Sequence, residues 1–391
     1  MQGVKFVDAL KLRLGAGVTG NAAIGAYGTK GGITQTYYNW GTTASTTGYI
    51  LSDLSAASPV LLANSNLGWE KTTQYNLGLD YTLLKGRING TMDVYKTKTK
   101  DLLMKMSIPS TTGYVQTWSN VGQTEGWGVD FQVNTVNIKT KDFAWSTGLT
   151  WSLDRCNVTQ LSNGRTQDLG NALFVGKTLG VYYDFVYDGI WKTSEATEAA
   201  KYGRKPGQIR VKDLNKDGAI DSNNDRQIVG KVRPDWSGGI TNTFNYKNVE
   251  LSFFIYSRWG FTVNKGAVNL GGLYQTRKVD YWIAGTNENA EYYSPGSNGV
   301  NADTYAGSQS YLDGSFVKMR NINLGYNFNS KQLTKFGLTN LKVYAQVMNP
   351  FTIYSKCKIL DTDLSSYDNN TTSTGTDITI RGLVFGINVG F

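Results

Sequence analysis

Histidine is missing from all 391 residues. Its absence removes the Ser-His-Asp and Cys-His nucleophile systems and every zinc site that uses imidazole. Only two cysteines occur, Cys156 and Cys357, too few for a four-thiolate metal site. They form one disulfide or two free thiols and say little about compartment. Charged residues are 18% of the chain and prolines number 6. No eighteen-residue apolar run exists, which excludes a transmembrane helix but not a membrane-spanning strand, whose alternating residues average to a polar value. The opening MQGVKFVDAL lacks the apolar core of a signal peptide, so the chain is mature or is part of a longer one.

Glycine (45), tyrosine (24) and tryptophan (10) are abundant instead. Glycine at this frequency without a collagen period implies many turns and closely approaching backbones. The net charge is +9, but the basic residues are scattered, and the short group Lys201, Arg204, Lys205, Arg210 and Lys212 lies in a polar stretch. That pattern reads as solvated loops and rims, not a nucleic-acid surface.

The dominant signal is alternation with period two. Tyr75, Leu77, Leu79, Tyr81 and Leu83 alternate with Gln74, Asn76, Gly78, Asp80 and Thr82, and after Lys85-Gly86 the pattern resumes at Ile88, Gly90, Met92 and Val94. This is a hairpin with a tight connection. Similar runs start at Leu10, Trp127, Phe143, Ile240, Leu251, Ile322, Leu341 and Leu383. The pattern predicts roughly eleven or twelve strands; SEATEAAKYG is the best short helix candidate. Tight turns after Leu84, Ile138 and Tyr246 alternate with long polar connections at about 19–68, 104–122, 156–235, 264–313 and 350–376. Soluble domains rarely carry so many long loops, whereas outer-membrane barrels do so systematically. A β-sandwich also alternates apolar and polar residues, but its strands average five or six residues, and these run to about ten, the length that crosses a bilayer. The expected fold is all-β, and barrel is favoured over sandwich.

Several blocks resemble a known family. NLGWEKTTQYNLGLDYTLLKGRINGTMDVYKTKTKDLL (66–103), DLNKDGAIDSNNDRQIVGKVRPDWSGGITNTFNYKNVELSFF (213–254), GSFVKMRNINLGY (314–326), LKLRLGAGVTGNAAIGAY (10–27) and the final strand are similar to the barrel of SusC/RagA-type TonB-dependent outer-membrane transporters. The resemblance implies that residues 1–391 are the C-terminal half of a large antiparallel barrel of about 22 strands, with short periplasmic turns and long extracellular loops. It implies import of oligosaccharides or peptides across the outer membrane of a Gram-negative, Bacteroidetes-like bacterium. The implied partners are outer-membrane lipid, a SusD-like surface lipoprotein and the TonB complex, the last through an N-terminal region and plug that nothing here resembles. It also gives the closing strand a role: Phe385, Ile387, Val389 and Phe391 would serve insertion and barrel closure. The alternative is a secreted β-sandwich that binds glycans or acts as an adhesin, with no transport role.

Within the long loop 156–235, Asp213, Asn215, Asp217, Ala219 and Asp221 fall at calcium-loop positions 1, 3, 5, 7 and 9, with Gly218 at position 6. Position 12 is Asn224, and the next carboxylate, Asp225, comes one residue late. The competing reading is a polar turn held by side-chain hydrogen bonds, with no ion. Calcium is thus the single candidate cofactor. Tyr37, Tyr38, Trp40, Tyr182, Tyr183, Tyr187, Trp191, Tyr292 and Tyr293 sit among amides and hydroxyls, a composition that suits sugar stacking, a lid-protein contact or simple loop packing. No carboxylate pair stands out as a hydrolytic centre, so no enzymatic activity is expected.

Overall fold

The computed structural model describes residues 6–22, 24, 28–30, 34–40, 43–50, 61–112, 114, 116–266, 279–295, 303–328, 337–358, 361–363 and 379–390. Ten long strands form one sheet in sequence order. They are β1 (Val7–Asn21), β2 (Glu70–Leu83), β3 (Ile88–Lys100), β4 (Gln123–Lys139) and β5 (Phe143–Gln160). Then follow β6 (Trp236–Tyr246), β7 (Val249–Trp259), β8 (Phe316–Asn327), β9 (Asn340–Ser355) and β10 (Gly382–Gly390). Each is antiparallel to its neighbours, so the sheet is a simple up-and-down meander. These ten are the strands whose alternating runs stand out in the sequence. The remaining strands are two-stranded ribbons inside the long connections. The short helix α1 (Ala196–Lys201) forms where SEATEAAKYG predicts one.

Because β-pairing fixes which side chains share a face, the registers can be read straight across the sheet. Leu12 lies opposite Leu79 and Leu14 opposite Leu77. Leu77 then faces Val94, and Val94 faces Val129. Farther on, Val133 pairs with Leu149, Leu149 with Ile240 and Ile240 with Ile255. Leu251 opposes Leu324, Leu324 opposes Ala345, and Ala345 opposes Phe385. One face is therefore apolar from the first strand to the last.

No second sheet covers that face among the described residues. Leu14 is 78% exposed, Tyr75 60% and Phe385 74%. A sandwich would bury these side chains between two sheets; here they project outward. The sheet is open, with β1 and β10 at its edges.

Turn chemistry explains the short end. Lys247 adopts φ +51°, and Leu84, Lys85 and Gly86 take φ +55°, +58° and +76°. Left-handed residues at a hairpin tip match the right-handed twist of the strands they join. The long connections, at 22–69, 101–122, 161–235, 260–315 and 356–381, all leave the opposite end of the sheet. Those after β1, β5 and β9 begin later than the sequence pattern indicates because these strands run to 15, 18 and 16 residues, past the last clear alternation, whereas those after β3 and β7 begin a few residues earlier.

Candidate functional site

The inner face of the sheet is polar and internally paired. Arg13 of β1 donates to Asp80 of β2 at 3.0 Å and to Asp93 of β3 at 2.8 Å, while Asn76 donates to the other Asp93 oxygen at 3.3 Å. Farther along, Ser152 donates to Asp130 at 2.6 Å, Tyr95 to Asp154 at 3.1 Å, and Lys342 pairs with Glu250 at 3.1 Å. Arg233 also binds Asp154. Charges this dense belong on a water-lined or protein-lined surface, since an ionised side chain facing lipid at mid-depth costs about 2–4 kcal/mol.

Near the short-turn end of this face lies a trough of about 520 Å³ bordered by Asn89, Gln132, Asn134, Ser146, Thr150 and Thr243. Its walls carry amides and hydroxyls beside the apolar Val136 and Phe254, with no charged side chain among the described residues. Such groups accept and donate to sugar hydroxyls or peptide amides alike. Sequence reasoning does not single out the trough residues. The signal that marks them is the run of Asn, Gln and Thr at inward positions of β3 to β6, which reads as a solvated face beside the apolar partners.

Above the sheet, the two longest connections share one core. Ile190, Ile209 and Val211 from 161–235 pack with Trp282, Ala290, Tyr292, Tyr293 and Ala306 from 260–315. Arg204 grips Asp303 through both carboxylate oxygens at 2.6 and 2.7 Å, and Asp303 also accepts the Ile209 N–H at 3.2 Å. Both partners are largely buried, with side chains 13% and 2% exposed. On the surface, Glu288 accepts the Thr193 hydroxyl at 2.5 Å and the Thr193 N–H at 3.1 Å, and Tyr311 donates to Asp184 at 2.9 Å. Two loops that are separate in sequence are one folded unit.

Tyr292 and Tyr293 belong to that core, and the other described aromatic loop residues pack around it. Tyr182, Trp191, Tyr292 and Tyr293 are buried, Tyr182 packs at a tilt against Tyr311 and Trp191 stacks on Tyr202. Tyr183 packs on Phe174, and Tyr187 borders the Ile209 cluster. Loop packing, one of the three roles open to these residues, is visible in these contacts. Polar neighbours make them resemble a binding surface, whereas partners such as Tyr311 for Tyr182 lie far away in sequence. Tyr37, Tyr38 and Trp40 lie on a paired backbone ribbon, but their side chains fall outside the described residues.

The calcium-like stretch forms a self-bonded turn. Asp213 accepts the N–H groups of Lys216 at 2.6 Å and Gly218 at 2.9 Å, Asn215 that of Asp217, and Asp217 that of Ala219. Asp221 accepts from Asn223 and Asn224, which holds its carboxyl below the usual range, chiefly through the Asn224 side-chain amide. Asp225 is fully buried and uses one oxygen for the Leu214 N–H and the other for the Asp221 N–H, both at 2.8 Å. Asp213, Asn215 and Asp217 thus share one turn, while Asp225 braces that turn from behind. Among the described residues no group of three or more Asp, Glu or Cys side chains is arranged to hold a metal.

In the closing strand, Phe385, Ile387 and Val389 all point outward and pair with Ala345, Val343 and Leu341. Phe391 lies outside the described residues. Both cysteines are free thiols.

The family model described as TonB dependent receptor-like, beta-barrel matches residues 3–349. The TonB-dependent receptor SusC of Bacteroides thetaiotaomicron is 33% identical over 386 residues, covering 94% of this chain and 36% of SusC. A TonB-dependent receptor of Formosa agariphila is 30% identical over 391 residues, covering 95% of this chain and 38% of that receptor. Among solved structures, the RagAB peptide transporter superposes with a TM-score of 0.75 at 20% identity, covering all of this chain and 42% of the other. The chain spans about two fifths of the length of the relatives it matches.

Proposed function

The chain belongs to the TonB-dependent receptor-like β-barrel family, and from that premise we propose that it supplies ten strands of the wall of a SusC-like outer-membrane importer. The observation that carries the proposal is the two-faced sheet: apolar and exposed outside, polar and ion-paired inside. The outer face meets lipid; the inner face lines the path or the group that fills it. Two open edges within lipid would leave rows of unpaired backbone groups, each costing several kcal/mol, so further strands complete the wall. The short turns face the periplasm, and the loop unit built from 161–235 and 260–315 faces outside.

The transported solute is an oligosaccharide, with a peptide as the second reading. The trough is uncharged, and its amides and hydroxyls stand beside Val136 and Phe254, which supports a ligand with hydrogen-bonding groups, apolar C–H faces and little charge. A peptide backbone satisfies the same groups, and the RagAB likeness in fold keeps it in view. A surface lipoprotein of the SusD kind would dock on the loop unit, and energy would come through TonB. The reading assigns no enzymatic activity to the chain.

The test is made on the full-length protein expressed in an outer-membrane background. It should fractionate with the outer membrane, require detergent to dissolve and run at a lower apparent mass on a gel before boiling than after. Replacement of Asn134 and Thr150 by leucine and valine should slow oligosaccharide uptake while leaving that gel shift intact. A protein that is soluble and monodisperse without detergent contradicts the proposal.

A further inference from the structure

Among the outward positions, the long-loop end of β2 and β3 breaks the apolar rule. Lys96, Lys98 and Lys100 occupy alternate residues of β3, the same face as Met92 and Val94. On β2, Lys71 lies directly opposite Lys100, and Tyr75 lies opposite Lys96. Trp127 of β4 flanks Lys96 on the other side. Four ammonium groups therefore gather on one outward patch within about 13 Å along the strand, at about 3.3 Å per residue.

Among the described residues one carboxylate is seated among them. Glu125 binds Lys98 at 2.6 Å and reaches Lys96 at 3.9 Å. Lys71 and Lys100 have no carboxylate within ion-pair distance among the described residues. Like charges directly opposite on paired strands are destabilising, so this Lys71–Lys100 pairing calls for an anion from outside the sheet. Immediately beside the lysines is an apolar groove of about 630 Å³, bordered by Leu14, Ala16, Tyr75, Leu77, Val94 and Trp127, with Lys96 at its mouth. A basic cluster above a greasy groove is complementary to one class of molecule, an anionic amphiphile.

We propose that this patch binds a phosphorylated lipid of the outer leaflet. Its phosphate sits between Lys71, Lys96 and Lys100, and an acyl chain lies in the groove. The proposal rests on the reading that the apolar face meets lipid. It adds a specific contact at the level of the membrane border, where Trp69, Tyr75 and Trp127 form an aromatic belt of exposed rings. Glu125 limits the affinity by neutralising Lys98.

Native mass spectrometry of the full-length protein in neutral detergent tests this. The probes are synthetic lipid A, its dephosphorylated counterpart and inorganic phosphate. Lipid A should bind; dephosphorylated lipid should bind at least about tenfold more weakly, given about fivefold per juxtamembrane lysine engaged. K71A/K96A/K100A should lose that preference, and because it removes a repulsive pair the barrel should still assemble. Glu125→Gln should raise lipid A affinity a few-fold, a gain that misfolding cannot mimic. Equal binding of the two lipids, an unchanged K71A/K96A/K100A variant, or inorganic phosphate binding as tightly as lipid A would overturn the proposal. A heat-modifiable gel shift is recorded in parallel. If it persists while lipid discrimination fails, only this inference falls; if the unsubstituted protein lacks it, the membrane reading falls too.

Discussion

Asp225 shows how a single buried carboxylate can organise a loop. Its two oxygens hold the N–H groups of Leu214 and Asp221, the two ends of the self-bonded turn. Removing both acceptors leaves two backbone donors without partners, each costing about 1–3 kcal/mol when buried. Asp225→Ala should therefore destabilise the loop unit by about 2–5 kcal/mol, read as a lowered loop melting temperature by near-UV circular dichroism, with the heat-modifiable barrel unaffected. No loss of loop stability would contradict the bracing role. A second prediction concerns acid. Glu195 is held below the ordinary carboxylate range, first by the Lys192 N–H and then by Arg210, and Glu288 likewise by the Thr193 hydroxyl and the Gly285 N–H. Depressed values mean that these carboxylates stabilise the fold above the unfolded-state value, about 4.3 for glutamate. That contribution disappears as pH falls below it through the folded value. The loop unit should accordingly melt at lower temperature at pH 3 than at pH 6, and Glu288→Gln should shrink the difference. A loop unit more stable at pH 3 would refute the stabilising role of Glu195 and Glu288.

At the scale of the strand, aromatic rings replace missing side chains. On the inner face Tyr95 lies opposite Gly128, and a Cβ built on Gly128 would come within 2.3 Å of the Tyr95 ring. The same arrangement sets Tyr344 across Gly386. The glycine lets the ring lie flat along the sheet, where the Tyr95 hydroxyl reaches Asp154 on the next strand but one. Gly128→Leu should expel that ring, break the Asp154 contact and destabilise the wall by about 1–3 kcal/mol, read as a lower temperature for loss of the heat-modifiable band. An unchanged transition would contradict the packing. The alternation that builds these strands is legible because period two is a local property, visible within ten residues. The loop core is not, because Ile209 and Trp282 follow no period and meet only once both connections fold. The same distance makes Tyr292 and Tyr293 look like surface residues. The inner trough is hidden for a different reason: amides and threonines on a strand read as the solvated side until the sheet shows which side encloses space.

The whole molecule is governed by which face of the sheet lies in lipid. Mid-strand registers carry apolar side chains outward and ion pairs such as Arg13–Asp80 and Lys342–Glu250 inward. On β2 and β3, lysines reach the outer face at the long-loop rim alone. This division can be read position by position by spin labelling along β2, after Cys156 and Cys357, both free thiols, are replaced by serine. Single cysteines at Gln74 through Leu79 in the full-length protein, reconstituted in bilayers, carry the label. Accessibility to oxygen, which concentrates in lipid, should peak at Tyr75, Leu77 and Leu79, while a water-soluble nickel chelate should reach Gln74, Asn76 and Gly78 preferentially. Labels at Tyr75, Leu77 and Leu79 shielded from both reagents would mean that these side chains are packed inside protein, and the lipid-facing wall would be wrong.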